Sequence, residues 1–215
     1  MPPVVTLTIL TNNFEEFKKQ AEIAQNFLPY IQIDVMDGQF VPGTSFAERI
    51  EINSLKLNLK YELHLMVAHP LAEMKTWAHV KNVFRVIFPI EAEDNPTDCV
   101  AFAKNQGWSV GIVINPETDL NKVKKYWSDI EVLLFMTVHP GAQGAPFVPA
   151  VLEKIKEFTK ENGATRPLCA VDGGVNLETA PQLVAAGAEI LNVGSFFTKA
   201  ADMEAAYNEL VKTLI

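Results

Sequence analysis

Two aspartates and a histidine are the residues of this chain whose types and placement could carry chemistry. Asp34, His64 and Asp172 each lie at or near the end of a short apolar run. No lysine or arginine accompanies Asp34 within its run, and an unpaired buried carboxylate is costly, so a functional role is favoured over a structural one. A pair of carboxylates suits general acid/base catalysis. A histidine on its own in such a run is more often a core residue. Only the convergence of His64 with two aspartates favours a metal site.

Glycine-containing turns follow the last three apolar runs of the chain. Glycine lets backbone N–H groups approach an anion closely, and such groups can hold a phosphate without a cluster of lysines. Each turn alone is weak evidence because most glycines simply end strands or helices, but their joint placement is more specific. The candidate phosphate-binding residues are Gly141, Gly144, Gly173, Gly174, Gly194 and Ser195.

Short apolar runs alternate with amphipathic stretches along the whole chain, which predicts strands that alternate with helices. Eight strands are predicted, at residues 4–10, 30–36, 61–66, 83–88, 109–114, 132–138, 168–171 and 190–193. Eight helical segments are predicted, one after the cluster 11–13, a short one after 42–43, and others at 71–79, 96–105, 120–126, 147–161, 178–186 and 203–214.

Strands joined by helices pair in parallel, and eight such units predict an α/β fold, a (β/α)8 TIM barrel, with residues 1–215 as a single domain. An open doubly wound sheet is less favoured. The sequence has no G-x-G-x-x-G after its first strand and no Gly-Lys-Ser/Thr loop.

Barrel enzymes keep catalytic groups at the carboxyl ends of their strands, so the strand ends predict which side chains face substrate. Residues two apart on a strand share a face, which directs Gln32, Asp34 and Met36 together into the barrel mouth. Met66 and Met136 end neighbouring strands, and the three methionines form either core filling or a ring around one pocket. His139 follows the sixth strand and is a candidate contact to substrate.

Composition excludes several classes of protein. The 215 residues carry 18 Lys and Arg against 26 Asp and Glu, and the net charge of −8 opposes binding to nucleic acid or to an anionic membrane face. The start of the chain lacks the basic region of a signal peptide, and no apolar run approaches the roughly 18 to 20 residues of a spanning helix. We expect a cytoplasmic protein. Its two cysteines, Cys99 and Cys169, are expected to be buried thiols.

At this point the sequence resembles the ribulose-phosphate 3-epimerase family over nearly its whole length. Five ordered segments carry the resemblance. They are DVMDG at 34–38 with FVP at 40–42, HLMV at 64–67, MTV at 136–138 with PG at 140–141, VDGGVN at 171–176 with ET at 178–179, and GS at 194–195.

The resemblance implies an isomerase of carbohydrate metabolism with Asp34 and Asp172 as its acid/base pair. It also implies that both aspartates, His64 and a second histidine bind a divalent metal such as zinc, manganese, iron or magnesium. Gln32 stands where that second histidine is expected, so metal binding is expected to be weakened or lost. Thr8 and His139 replace a serine and an asparagine of the family pattern, and we expect both to contact substrate.

The leading interpretation is an epimerase that interconverts ribulose 5-phosphate and xylulose 5-phosphate through an enediolate. Without a metal, hydrogen bonds from Gln32, Thr8 or a protonated neighbour would have to stabilise that enediolate. Two alternatives remain: a related phosphosugar epimerase or lyase, and a phosphosugar-binding protein whose catalysis has decayed. The expected partner is a small phosphorylated sugar, with no nucleic acid and no membrane, and a homo-oligomer is left open.

Overall fold

Eight parallel strands close into a barrel in sequence order, each hydrogen-bonded to the next and the eighth to the first. The computed structural model describes residues 2–45, 48–141, 144–161 and 166–214. The strands are β1 Val4–Ile9, β2 Tyr30–Met36, β3 Lys60–Met66, β4 Val83–Pro89, β5 Ser109–Ile114, β6 Val132–Met136, β7 Leu168–Asp172 and β8 Ile190–Val193. The predicted TIM barrel is confirmed.

Helices connect the strands on the outside of the barrel. They are α1 Phe14–Ala24, α2 Arg49–Ser54, α3 Pro70–Trp77, α4 Pro96–Asn105, α5 Asn121–Lys124, α6 Val151–Lys160, α7 Thr179–Ala186, α8 Ser195–Thr198 and α9 Met203–Lys212, with a 3-10 turn at Trp127–Asp129. No helix within the described ranges is long and apolar enough to cross a bilayer.

Local chemistry explains where several helices begin. Asn13 accepts a hydrogen bond from the Glu16 N–H and starts α1, and Asn95 does the same for Thr97 before Pro96 opens α4. Sequence reasoning predicted α6 four residues too early. The residues before Val151 form separate turns, with Val151 N–H bonded to Val148 O. The four-residue α8 was not predicted.

The barrel interior is divided into an apolar side and a polar side, and this division positions the site. The apolar side holds Ile87, Val113, Val132, Leu134, Met136, Val138, Ala170 and Ile190. Buried polar side chains on the other side come from β1, β2, β3, β7 and β8: Thr6, Thr8, Gln32, Asp34, Glu62, His64, Asp172 and Asn192. The larger core lies between the barrel and the helices, and it contains Cys99 and Cys169, both buried as expected.

Candidate active site

Asp34, His64 and Asp172 form one cluster at the carboxyl ends of their strands. Asp34 and His64 are register partners on β2 and β3, so their side chains leave the sheet side by side. His64 Nδ1 lies 3.0 Å from Asp34 Oδ1 and 3.6 Å from Asp172 Oδ2. All three residues are buried. The structure therefore brings together the three ionisable residues that the sequence singled out.

Gln32 lies beneath the two carboxylates and joins them through its amide nitrogen. Its Nε2, which carries two N–H groups, lies within hydrogen-bond distance of three acceptors: Asp172 Oδ2, Asp34 Oδ1 at 3.1 Å and Thr8 Oγ1 at 3.1 Å. Its Oε1 accepts a hydrogen bond from Asn192 Nδ2. Gln32 is fully buried, and it is not one of the described residues that line the cavity above it. The expected hydrogen bond from Gln32 to the enediolate is not present as a direct contact with the cavity in this structure, where the amide reaches the two carboxylates and Thr8.

The pKa values of Asp34 and His64 are both raised in this cluster. Burial raises the pKa of the Asp34 carboxyl to about 6, even though the hydrogen bond from His64 opposes it. Burial alone would lower the pKa of His64, but hydrogen bonds to Asp172 and Asp34 outweigh it and raise that pKa to about 10. The raised pKa favours protonated His64, whose Nδ1–H donates to the carboxylate of Asp34.

The cluster offers three ligands to a metal ion. One atom each from Asp34, His64 and Asp172 lie within 4.8 Å of one another, so the three side chains could hold a divalent cation. In its present orientation, Gln32 does not supply a fourth ligand for the metal ion. Its N–H groups point at the carboxylate oxygens, and its only potential ligand atom, Oε1, is engaged by Asn192. A metal would also have to displace the proton that His64 holds.

A cavity opens directly above the carboxylates. Asp34, Asp172 and Thr8 form part of its wall. The cavity is also lined by all three predicted methionines and by all six predicted phosphate-binding residues: Met36, Met66, Met136, Gly141, Gly144, Gly173, Gly174, Gly194 and Ser195. No lysine or arginine lies among the described lining residues.

The loops after β6 and β7 are hydrogen-bonded to each other, and their close contact requires a glycine at position 173. Thr137 donates to Asp172 O through its N–H at 2.8 Å and through Oγ1 at 3.0 Å. Gly173 has φ +106°, and a Cβ there would lie 2.4 Å from Val138 Cγ2. Only glycine accommodates both the positive φ and this close approach. The backbone of the loop after β7 is thereby held at the edge of the cavity.

His139 does not lie where the sequence analysis expected it. Its side chain is 63% exposed and its Nδ1 pairs with Glu117 Oε1 at 3.2 Å, and it is not among the described residues that line the cavity. β6 ends at Met136, two residues earlier than predicted, because Thr137 turns towards β7. His139 therefore follows a turn that directs it to solvent. Ala142 and Gln143 of the same loop lie outside the described residues.

Sequence reasoning missed Asn192 and the structural role of Asp37. Asn192 is buried on β8 and was passed over as part of an apolar strand, although a lone amide in the run ILNV was a usable signal. Asp37 accepts hydrogen bonds from the backbone N–H groups of Gln39, Phe40 and Ala68. It joins the loops after β2 and β3.

Known proteins similar in sequence to this chain belong to one family. The model of the ribulose-phosphate 3-epimerase family matches residues 4–198. The chain is 36% identical over 186 residues to the ribulose-phosphate 3-epimerase of Bacillus subtilis (strain 168), and the match covers 84% of each chain. The chain belongs to the ribulose-phosphate 3-epimerase family.

Two further comparisons place this family member among its relatives. The ribulose-phosphate 3-epimerase of Methanocaldococcus jannaschii is 34% identical over 200 residues, which cover 91% of this chain and 82% of that protein. The crystal structure of 3-hexulose-6-phosphate synthase from Salmonella typhimurium superposes with a TM-score of 0.74 at 15% identity, covering 100% of this chain and 98% of that one. The second likeness concerns the fold alone.

Proposed function

We propose that this protein epimerises ribulose 5-phosphate and xylulose 5-phosphate at the carbon next to the ketone. The observation that carries the proposal is the pair of carboxylates, Asp34 and Asp172, that face one cavity with oxygen atoms within 4.8 Å of each other. Inversion at carbon needs a base on one face of the substrate and an acid on the other. Membership of the family supports the choice of sugar phosphate.

Asp34 and Asp172 exchange roles in the two directions of the reaction. An ionised Asp34 removes the proton from the carbon next to the ketone, the C–H electron pair forms the C=C bond, and the carbonyl oxygen gains negative charge. A protonated Asp172 then returns a proton to the opposite face, and the electron pair of the oxygen re-forms the ketone. A pKa near 6 suits Asp34 to this task because a base works best near the operating pH.

His64 keeps the two carboxylates in position from the side, and Gln32 from below. The imidazolium of His64 and the amide nitrogen of Gln32 both contact Asp34 and Asp172, which offsets the repulsion between the two acids. Neither residue belongs to the described cavity lining, so both are positioning residues.

Thr8 is proposed to stabilise the enediolate oxygen. Its Oγ1 accepts a hydrogen bond from Gln32, and no acceptor for its own hydroxyl proton is found among the described residues. Thr8 lines the cavity, and its hydroxyl is therefore proposed to donate to substrate. A donor placed where negative charge develops lowers the barrier because it needs no reorganisation during the reaction.

The sugar phosphate is proposed to bind at the glycine turns after β6, β7 and β8. These turns line the cavity on the side of Gly173, Gly174, Gly194 and Ser195, where phosphates commonly bind in eight-stranded barrels. The wall described there has no cationic side chain, which favours backbone N–H groups as the phosphate ligands.

A divalent metal is proposed to bind weakly or not at all. Asp34, His64 and Asp172 would hold it, and it would supply Lewis-acid polarisation of the ketone. The Gln32 amide competes for the same carboxylate oxygens, and His64 would have to lose a proton whose pKa is about 10. Manganese titration followed by electron paramagnetic resonance measures this affinity directly.

The test is proton NMR of the protein with ribulose 5-phosphate in deuterium oxide, as isolated, with chelator, and with added manganese, magnesium or zinc. We expect xylulose 5-phosphate, with deuterium at the epimerised carbon, in every arm. Asp172→Asn is the control that retains the fold but lacks the second acid. Hexulose phosphates run in parallel distinguish a related epimerase or lyase. Saturable binding without any exchange would instead indicate a decayed binding protein and would refute the proposal.

A further inference from the structure

The side chains of Asn192 and Gln32 form a buried pair of amides that links opposite ends of the sequence. Asn192 lies on β8, with Asp172 and Thr6 as its register partners on the flanking strands. Its Nδ2 donates to Gln32 Oε1. Both side chains are almost fully buried, with exposures of 1% for Asn192 and 0% for Gln32. The pair lies beneath the two aspartates and outside the described lining of the cavity.

The chemistry of the surrounding groups determines which way the Gln32 amide faces. The oxygens of Asp34 and Asp172 that face Gln32 accept hydrogen bonds from its amide nitrogen, and a carbonyl oxygen in that place could not donate to them. Gln32 makes these bonds only when Nε2 points up, which leaves Oε1 pointing towards β8. Asn192 supplies the donor that Oε1 then needs. A side chain without a donor at position 192 would leave Oε1 buried and unpaired, or free to turn.

Asn192 gains little for the fold from this arrangement. Its own Oδ1 is buried and has no hydrogen-bond partner among the described residues. A buried acceptor without a partner lowers stability, and a leucine of similar size would remove this acceptor but would leave Gln32 Oε1 without its donor. The amide at position 192 therefore serves a purpose other than packing.

We propose that Asn192 is a positioning residue that locks the Gln32 amide with its nitrogen towards Asp34 and Asp172. The locked amide holds both carboxylates from below and keeps Oε1 away from the place that a cation would occupy. This inference rests on the proposed function for its consequence in catalysis. The orientation of the amide itself does not depend on it.

Asn192→Leu removes the donor at nearly constant volume. We expect kcat to fall on the order of tenfold, the effect of losing one buried hydrogen bond, with KM little changed because Asn192 does not reach the cavity. Manganese affinity should rise on the order of tenfold as Oε1 becomes free to turn towards the carboxylates. The melting temperature should fall by about 2–4 °C, because Gln32 Oε1 loses the buried donor that Asn192 supplies.

The orientation is read by the side-chain amide signals of Gln32 in a proton–nitrogen NMR spectrum, assigned by their disappearance in Gln32→Met. In Asn192→Leu these signals should shift and exchange faster with water. Thr6→Val is the matched control. Thr6 is a register partner of Asn192 and is equally buried, but its hydroxyl donates to Tyr30 O and does not contact Gln32. Its variant should leave the Gln32 signals and the manganese affinity unchanged.

Gln32 signals that remain at their wild-type positions in Asn192→Leu would overturn the proposal. So would equal losses of activity in Asn192→Leu and Thr6→Val, since both would then reflect general packing. If Asn192→Leu fails to fold, Asn192→Ala gives the same measurement, because alanine also lacks the donor to Gln32 Oε1. The NMR and manganese measurements need no substrate, so they test this inference even if the epimerase assay fails.

Discussion

Replacing Gln32 with methionine tests the buried support of the two aspartates most sharply. Methionine has nearly the same length but no N–H, so the variant loses the bonds to Asp34 Oδ1 and Asp172 Oδ2 without leaving a large cavity. Each hydrogen bond to a charged group contributes about 1.5–3 kcal/mol to stability. His64 still contacts both carboxylates, so we expect the free energy of unfolding at neutral pH to fall by about 2–4 kcal/mol, less than the sum of two such bonds.

The loss of stability should depend on pH in a defined direction. Gln32 stabilises the ionised form of Asp34, and its removal raises a pKa that is already about 6. A carboxyl whose folded pKa lies above its unfolded value loses stability as pH rises through the folded pKa. Gln32→Met should therefore be more destabilised at about pH 8, where Asp34 is ionised, than at about pH 5, where it is largely protonated.

Urea unfolding at the two pH values, together with the pH dependence of solvent exchange of the substrate proton, measures both effects. The acidic limb of the rate profile should move to higher pH in Gln32→Met, and kcat should fall on the order of a hundredfold. Thr6→Val provides the control for loss of a buried hydrogen bond elsewhere in the barrel. Equal destabilisation at both pH values with an unmoved acidic limb would refute the argument that Gln32 supports ionised carboxylates.

Three further predictions follow from the site. In the wild type, kcat/KM should rise with pH through an apparent pKa of about 6 as Asp34 ionises, and fall as His64 loses its proton near pH 10; a profile flat across both regions would contradict the assignment. Asp34→Asn and Asp172→Asn should each lose epimerisation by at least about a thousandfold while exchanging the proton of only one of the two epimers with deuterium oxide, and exchange of both would argue against two opposed acids. Gly173→Ala should lower the free energy of unfolding by about 2–4 kcal/mol and weaken competition by inorganic phosphate, because its Cβ would meet Val138 and its φ is +106°; a thermal melt like that of wild type would show that the turn tolerates a side chain.

The parts of the fold that sequence reasoning predicted well are those with local signals. The strands Tyr30–Met36, Ser109–Ile114 and Ile190–Val193 and the helix Pro96–Asn105 have the predicted bounds, because apolar runs and a capped Asn-Pro start define them locally. The end of β6 and the outward turn of His139 depend on Thr137 bonding to β7, a contact between residues 35 positions apart. Local patterns do not contain that contact.

The same reasoning explains what was predicted of the site. Asp34, His64 and Asp172 could be placed together because strand ends of a parallel barrel meet at one rim. The role of Gln32 could not, since its orientation depends on Asn192, 160 residues away along the chain. The sequence predicts an altered metal ligand at Gln32, whereas the structure shows an amide that donates to both aspartates.

The most direct test of two-carboxylate catalysis supported by Gln32 uses protein freed of metal by chelation. Incubated with ribulose 5-phosphate in deuterium oxide and followed by proton NMR, it should form xylulose 5-phosphate that carries deuterium at the epimerised carbon, at a rate close to that of untreated protein. Activity that disappears on chelation and returns with a divalent ion would contradict the account, because a cation and not the Gln32 amide would then complete the site.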